Sequence, residues 1–297
     1  MSSDGTVGAT PFWRSLLYVP VISSRFVDKA HTRGADAIQL DLEDSVPAGE
    51  KERARQLLPG AVDQLEGLGC DVVVRVNRPW RLAVRDLEAA VRPGVRALAL
   101  PKVGSADHVR AIDEIMAELE QAAGLSVGAI RVIAMVETTD GLFQLRDIAG
   151  ACPRVMALNL GSEDFATSAG VSPEPDLLAV PNQLTVYAAR AAGILPLGLV
   201  STVASYQDED AFREVARQSR RVGFVGASAI HPKQVTIINE EFSLSEAEVD
   251  RARRLVSAYE AALADGTGAI EFEGTMVDEP VAQRARALLA RREATTR

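Results

Sequence analysis

Apolar runs and helical segments alternate along most of the chain, and this alternation limits the fold more than any other feature. The eight predicted strands cover residues 15–20, 37–42, 71–77, 97–103, 130–137, 155–161, 195–202 and 226–230. The helices predicted between them cover residues 25–33, 47–68, 81–91, 105–123, 142–151, 177–192 and 209–222. Such alternation is typical of a parallel sheet, and eight units favour a closed (β/α)8 TIM barrel of the α/β class. Val21 and Ile22 follow the first strand in place of a glycine-rich dinucleotide turn, which argues against an open doubly wound sheet.

The residues after the barrel predict a small helical appendage. Ser245 and Glu248 have the spacing of a capping box and open a helix that runs to about residue 264. A short strand near residues 269–272 and a final helix over 278–291 follow. The predicted organisation is a flexible tail over 1–13, a barrel over 14–244 and a C-terminal helical extension and lid over 245–297.

Composition excludes several classes of protein. The net charge of −9 argues against a nucleic-acid binder, because such a protein needs a basic face. No run approaches the roughly 18–20 apolar residues of a spanning helix, and residues 1–13 do not resemble a secretory signal. Cys70 and Cys152 lack metal-ligand spacing and are predicted to be free thiols. We therefore expect a cytoplasmic protein with no nucleic-acid or membrane partner.

Polar clusters directly follow the predicted strands. These clusters are 41–44 (Asp-Leu-Glu-Asp), 75–77 (Arg-Val-Asn), 101–102 (Pro-Lys), 137–138 (Glu-Thr) and 163–164 (Glu-Asp). Parallel β/α barrels carry their active sites at the carboxyl ends of the strands. The pattern therefore predicts an enzyme whose site is assembled from several loops.

Two acids in these clusters are candidate metal ligands. Glu137 ends the fifth predicted strand and Asp164 follows the sixth, so both can reach one hard cation of the kind that prefers oxygen ligands. The alternative is that Glu137 caps a helix and Asp164 binds backbone amides. Glu163 neighbours Asp164, and strand geometry predicts that only one of the two is a ligand.

The basic residues of the clusters have two interpretations each. The alternation in the third strand points Arg75 into the barrel mouth, where a guanidinium needs either an anionic substrate or an ion pair with Glu43 or Asp44. Lys102 can bind an anion or form a salt bridge.

Seven motifs occur in a fixed order and resemble a known family. They are 14–20 (RSLLYVP), 40–46 (LDLEDSV), 74–77 (VRVN), 100–103 (LPKV), 137–138 (ET), 160–164 (LGSED) and 229–234 (AIHPKQ). Together with the Met276-Val277-Asp278 tail, they resemble the citrate lyase β-subunit-like and malyl-CoA lyase family of the HpcH/HpaI aldolase superfamily. The resemblance covers residues 14 to about 291.

The resemblance implies a Mg²⁺-dependent barrel, with Mn²⁺ as an alternative metal, that makes or breaks a carbon–carbon bond in a 3-hydroxyacyl-CoA thioester. It implies Glu137 and Asp164 as the metal ligands and Arg75 as the group that stabilises oxyanion charge. Asp278 matches an aspartate that a neighbouring subunit places over the site as general acid/base, in a homotrimer or homohexamer. The remaining candidate substrate- or cofactor-binding residues are Arg14, Lys29, Glu43, Asp44, Lys102, Gly161, Ser162 and Glu163.

The substrates implied by the resemblance are an acyl-CoA and a 2-keto acid, combined as malyl-, citramalyl- or citryl-CoA. The loop Val21–Ser24 departs from the family pattern and puts CoA binding there in question. An aldolase acting on free hydroxy-keto acids, a malyl-CoA-type thioesterase and a catalytically idle subunit are the alternatives.

Overall fold

The computed structural model describes residues 11–204 and 207–295. The chain divides into a larger unit that begins at Trp13 and ends at Phe242, and a smaller unit formed by Phe12 and the residues from Ser243 onward. Most of the predicted flexible tail, residues 1–10, lies outside the described residues. Trp13, the last residue of that predicted tail, is buried, and its Nε1 donates a hydrogen bond to Asp71.

Eight parallel strands form the larger unit. They are β1 (Ser15–Pro20), β2 (Ala37–Asp41), β3 (Asp71–Arg75), β4 (Val95–Leu100), β5 (Arg131–Val136), β6 (Val155–Leu160), β7 (Leu195–Leu197) and β8 (Ala227–Ala229). Neighbouring strands pair in the order β7-β6-β5-β4-β3-β2-β1-β8, and a bridge from Leu197 to Gly226 nearly closes the ring. The predicted TIM-barrel-like α/β fold is confirmed.

Helices connect these strands. They are α1 (Ser24–Ala30), α2 (Lys51–Gly67), α3 (Trp80–Ala90), α4 (Ala106–Ala122), α5 (Thr139–Phe143), α6 (Leu145–Ala149), α7 (Ser162–Ala169), α8 (Ala179–Ala191), α9 (Glu209–Val222) and α10 (Pro232–Phe242). Short 3₁₀ turns at His31–Arg33 and Ala48–Glu50 follow α1 and precede α2.

The core explains why the strands read as continuous apolar runs. Val72, Val73 and Val74 of β3 are all fully buried, because one face of each strand lines the barrel interior and the other packs under the helices. β-Branched residues suit such strands because their stiff side chains pack well on a pleated surface. The burial of both faces is the physical basis of the barrel prediction.

The main differences from the predicted elements lie at the carboxyl ends of the strands. β7 ends at Leu197, whereas the prediction continued to residue 202, and α7 and α10 were not predicted. The apolar residues that follow β7 form a loop, and α7 is only eight residues long. Both features depend on contacts across the barrel mouth, so a local pattern did not reveal them.

The smaller unit consists of two helices and a hairpin. The predicted capping box is present: Ser245 Oγ accepts a hydrogen bond from Glu248 N, and Glu248 Oε2 accepts one from Ser245 N. Its elements are α11 (Glu246–Ala264), the antiparallel strands β9 (Ile270–Phe272) and β10 (Thr275–Val277), and α12 (Glu279–Thr295). Tyr259 and Val277 are buried in its own core. Among the described residues, no helix is both long and apolar enough to cross a membrane.

Candidate active site

A pocket of about 470 Å³ opens at the carboxyl ends of the barrel strands. This volume falls within the range of small-molecule sites, roughly 300–1,000 Å³. The predicted site residues that line it are Asp44, Arg75, Glu137, Gly161, Ser162, Glu163 and Asp164. The polar clusters that follow β2, β3, β5 and β6 therefore converge in space, as the strand-end pattern predicted.

Arg75 is held by a fork of two hydrogen bonds. Its Nε and Nη2 donate to the two oxygens of Asp41 at 2.7 and 2.8 Å. Asp41 and Arg75 end adjacent strands in register, so their side chains share one face. Nη1 also forms ion pairs with Glu43 at 2.8 Å and Asp44 at 3.4 Å. Burial lowers the pKa of Arg75, but the neighbouring anions outweigh burial and keep this pKa above its ordinary value.

Lys102 links two of the predicted acids. Its Nζ lies 2.9 Å from Glu43 Oε1 and 3.4 Å from Asp164 Oδ2. Its backbone adopts a left-handed conformation with φ of 50°, which is uncommon for a residue other than glycine. This conformation accompanies a hydrogen bond of 2.8 Å from its amide to Glu137 Oε2. Strained residues of this kind cluster at functional sites.

Glu137 is the most electrostatically perturbed acid of the pocket. It is 3% exposed, and burial raises its pKa to about 8, with further contributions from the negative charges of Glu43 and Asp164. The hydrogen bond from Lys102 N and the positive charge of the Lys102 side chain lower the pKa of Glu137, but they do not cancel the increase caused by burial. A buried carboxylate that repels its neighbours is a group that a bound cation would stabilise.

Gly161 leaves the space that Glu137 occupies. A Cβ at this position would lie 2.5 Å from both Cγ and Oε1 of Glu137, closer than real atoms approach. Its φ of −80° is accessible to any residue, so the requirement for glycine is steric. Gly161 therefore determines where the Glu137 carboxylate lies.

Replacing Gly161 with alanine should displace Glu137. On the hypothesis that Glu137 is a metal ligand, the substitution should weaken Mg²⁺ binding by about tenfold to a hundredfold, the usual effect of losing the support of a ligand. Isothermal titration with Mg²⁺ measures this effect. Gly60→Ala is the matched control, because a Cβ there meets open space on α2. Equal Mg²⁺ affinity in the two variants would contradict the assignment.

Glu163 and Asp164 both line the pocket, so the premise that strand geometry cannot point both into one site is wrong. The prediction that only one of them is a ligand stays a prediction. They belong to the first turn of α7 and not to β6, and adjacent residues at a helix start can both face a strand-end pocket. Glu163 forms a hydrogen bond with Thr202 Oγ1. Ser162 Oγ donates to the carbonyl of Ser201 at 3.1 Å.

The charges of the lining fit a divalent cation. The carboxylates are Asp41, Asp44, Glu137, Glu163 and Asp164, and among the described lining residues Arg75 alone carries a positive charge. Residues 11–204 and 207–295 contain no group of three or more His, Cys, Asp or Glu side chains arranged to hold a metal ion. Two carboxylates suit Mg²⁺, which prefers oxygen ligands and retains several waters. Glu137, after β5, and Asp164, in the first turn of α7, both line this pocket and remain the predicted ligand pair.

Comparison with known proteins decides the family. The model of the HpcH/HpaI aldolase/citrate lyase family matches residues 14–232, well over half of the chain. The chain belongs to this family. The resemblance inferred from the seven motifs and the prediction of an enzyme are both confirmed.

Several relatives of this HpcH/HpaI family member match over nearly their full length. Citrate lyase subunit beta of Escherichia coli K12 is 35% identical, with 94% of this chain and 93% of the relative covered. The (3S)-malyl-CoA thioesterase of Cereibacter sphaeroides is 36% identical, with 96% of each covered. The crystal structure of CitE from Mycobacterium tuberculosis in complex with magnesium, acetoacetate and coenzyme A is 29% identical. It matches with a TM-score of 0.74, over 95% of this chain and 98% of that structure.

Four of the predicted substrate- or cofactor-binding residues of this family member do not line the pocket: Arg14, Lys29, Glu43 and Lys102. Arg14 precedes β1, at the amino end of the strand, and its guanidinium binds Asp36 at 2.6 and 2.8 Å. Six residues of strand separate it from the pocket end, a distance of about 20 Å. Lys29 is exposed on α1 and does not line the pocket. Asp278 belongs to the smaller unit, at the start of α12.

Tyr18 and Asp41 are among the polar pocket residues of this family member that were not predicted as site residues. Asp41, and not Glu43 or Asp44, accepts the two hydrogen bonds from Nε and Nη2 of Arg75. The Tyr18 ring lies under that guanidinium, 4.7 Å from its Cζ, and burial raises the pKa of Tyr18 to about 12. Strand register was the signal that could have identified Asp41, since residues paired on adjacent strands face the same side.

Proposed function

We propose that this protein is a Mg²⁺-dependent carbon–carbon lyase. It cleaves a 3-hydroxyacyl-CoA thioester into an acyl-CoA and a 2-keto acid, or joins the two by a Claisen-type condensation. The observation that carries this proposal is the presence of Arg75, Glu137 and Asp164 in one pocket. The relative named citrate lyase subunit beta and the CitE structure with magnesium, acetoacetate and coenzyme A support it.

Glu137 and Asp164 would hold the metal. Bound Mg²⁺, or Mn²⁺ in its place, would supply Lewis-acid polarisation of the oxygens of the keto acid. Lys102 keeps the Glu137 carboxylate oriented through its amide hydrogen bond, and Gly161 leaves room for that orientation. The Glu137 carboxylate is thus supported by residues that follow β4 and β6.

Arg75 would stabilise negative charge that develops on an oxygen of the substrate. An arginine has five N–H groups, and two of those of Arg75 bind Asp41. Nη1 pairs with Glu43 and Asp44, so the second N–H of Nη2 would serve a substrate oxygen, while Asp41 fixes the plane of the guanidinium. Removing a preorganised donor of this kind typically lowers kcat by roughly a hundredfold to a thousandfold.

Asp278 would move the proton of the acyl carbon: it donates a proton to that carbon in cleavage and removes one in condensation. Its Oδ1 accepts a hydrogen bond from Val281 N at 3.4 Å, which is long for a helix cap. This weak hydrogen bond leaves the carboxylate available for other contacts. By resemblance, this segment would reach a neighbouring subunit in a homotrimer or homohexamer.

Thioester hydrolysis is the second candidate, since a relative 36% identical is named (3S)-malyl-CoA thioesterase. In hydrolysis, water attacks the thioester carbonyl and releases CoA, and the carbon–carbon bond stays intact. The outcome depends on whether the closed site excludes water.

One assay separates these functions. The protein is incubated with Mg²⁺ and each of malyl-, β-methylmalyl-, citramalyl- and citryl-CoA, and separately with free hydroxy-keto acids, while keto acid and free thiol are measured in parallel. The proposal predicts keto acid without thiol. Thiol without keto acid would identify a thioesterase, and cleavage of only free hydroxy-keto acids would identify an aldolase that does not use CoA. The absence of any product would favour an idle subunit and contradict the proposal.

A further inference from the structure

The pocket has two chemically different sides. The carboxyl ends of β2 and β3 and the residues that follow β2, β5 and β6 contribute its charged residues. The residues that β7, β8 and their following loops contribute are uncharged: Gly198, Leu199, Ser201, Val203, Ser228 and Ile230. We call Leu199, Val203 and Ile230 the apolar wall. No charged side chain from these two strand ends lines the described pocket.

A single buried side chain ties the two halves of the apolar wall together. Gln234, at the start of α10, is 1% exposed. Its Nε2 donates to the carbonyl of Val203 at 2.7 Å, and its Oε1 accepts from the amides of Ile230 and His231 at 2.9 and 3.1 Å. The loop after β7 and the turn after β8 are therefore held by one amide group.

Further buried polar groups fix the loop after β7. The amide of Val200 donates to Ser219 Oγ at 2.9 Å, and its carbonyl accepts from Asn182 Nδ2 at 3.3 Å. Ser162 binds the next carbonyl, that of Ser201. Because each backbone group is held from the protein interior, the apolar wall is preformed and a ligand need not order it.

The charges of the pocket disfavour a second free carboxylate on the substrate. Arg75 is already paired with Asp41 and Glu43, and Lys102 with Glu43 and Asp164. A carboxylate against the apolar wall would lose hydration without gaining a positively charged partner from β7, β8 or the loops that follow them. A methyl group there would instead gain apolar contact.

We propose that the substrate carries a methyl-sized apolar substituent, and no second free carboxylate, on the carbon that becomes the carbonyl of the keto acid. This inference rests on the proposed lyase function. The position follows from strand order: β7, which begins the apolar wall, pairs with β6, which precedes Asp164, and β6 pairs with β5, which precedes Glu137. The keto-acid part of the substrate would lie at Glu137 and Asp164, and the apolar wall lies next to these acids in the strand order.

Malyl-, citramalyl- and citryl-CoA differ only at this substituent, which is hydrogen, methyl and carboxymethyl in turn. We expect kcat/KM for citramalyl-CoA to exceed that for malyl-CoA by about tenfold, since one buried methyl group discriminates by roughly 10- to 200-fold. The excess over citryl-CoA should be about a hundredfold or more. Equal or faster cleavage of citryl-CoA would overturn the inference.

A charge placed on the apolar wall should change this preference. Ile230 is 43% exposed and lines the pocket, so Ile230→Arg should fold and should lower the citramalyl-to-citryl ratio of kcat/KM by about tenfold or more. Val180→Arg is the matched control, because Val180 is 67% exposed on α8 and does not line the pocket. In Val180→Arg, the citramalyl-to-citryl ratio of kcat/KM should stay unchanged. The same ratio in both variants would contradict the role of Ile230.

A binding measurement separates failure of this inference from failure of the lyase proposal. Pyruvate and oxaloacetate carry a methyl and a carboxymethyl group, respectively, on the keto carbon. Calorimetric titration of each in the presence of Mg²⁺ should give at least about tenfold tighter binding of pyruvate. If no thioester is cleaved, the lyase proposal fails, and this pair still tests the apolar wall. Tighter or equal binding of oxaloacetate would overturn it.

Discussion

Replacing Glu137 with glutamine should lower Mg²⁺-dependent turnover by about a thousandfold or more, since a catalytic metal contributes several kcal/mol to transition-state stabilisation. Glutamine keeps the shape of the side chain and its acceptor for Lys102 N, but it removes the negative charge. Calorimetric titration should show the loss of Mg²⁺ binding directly. Undiminished turnover would remove Glu137 from the metal site.

The same substitution should stabilise the metal-free protein at alkaline pH. The pKa of Glu137 is about 8 in the folded protein and has an ordinary value of 4.5. Between these values the folded state retains a proton that the unfolded state has released, so the free energy of unfolding decreases as the pH rises. Glutamine cannot ionise and avoids this decrease. We expect Glu137→Gln to be more stable by about 1–3 kcal/mol at pH 8 and by almost nothing near pH 4.5.

Urea unfolding in the presence of a chelator, at pH 5 and pH 8, measures this difference. Glu120→Gln is the matched control. Glu120 is fully buried, but it accepts hydrogen bonds of 2.8 Å from Arg154 and from the amides of Gly128 and Ile130. Its replacement weakens bonds to a charged group and should destabilise the protein by about 1.5–3 kcal/mol. Destabilisation of both variants at pH 8 would show that the protein alone stabilises the ionised Glu137 carboxylate, without a bound cation.

Replacing Asp278 with asparagine should lower turnover by about a hundredfold to ten-thousandfold and leave the affinity for 2-keto acids unchanged. Asparagine keeps the size of the side chain but cannot transfer the proton. Steady-state kinetics and calorimetric titration of a keto acid separate the two effects. Glu279→Gln is the control, because Glu279 pairs with Arg286 within the smaller unit and has no assigned catalytic role. Normal turnover of Asp278→Asn would return this residue to a capping role.

The origin of Asp278 in a neighbouring subunit has its own test. Arg75→Ala and Asp278→Asn subunits are each expected to be inactive. When the two are co-expressed, a site is intact where an Asp278→Asn subunit supplies Arg75 and its Arg75→Ala neighbour supplies Asp278. Random mixing in a cyclic oligomer should restore roughly a quarter of the sites. No recovery in the mixed oligomer would show that both residues act from the same chain.

The predicted elements were most accurate where local patterns suffice. The alternation of strands and helices predicted the barrel, since strands buried on both faces carry continuous apolar runs such as Val72–Val74. The rule that strand carboxyl ends form the site also correctly grouped Arg75, Glu137 and Asp164. Applied consistently, it would have excluded Arg14, which precedes its strand.

The local geometry of the strand ends was not predictable in the same way. Lys102 adopts a left-handed conformation that lysine does not favour by itself, and Glu163 and Asp164 belong to a helical turn that has no strong sequence signal. Each arrangement depends on a partner from another strand end: Glu137 for the amide of Lys102, and Thr202 for Glu163.

The sequence by itself determined the barrel, the family and the acids at the ends of β2, β5 and β6, because apolar periodicity and motif order are properties of neighbouring residues. Only the tertiary structure decided that Asp41 accepts the hydrogen bonds of Arg75 and that Gly161 leaves space for Glu137. It also decided that the apolar wall and the charged residues line the same pocket. These features are distances between side chains far apart in the chain. The packing of the whole barrel determines them, and no local pattern encodes that packing.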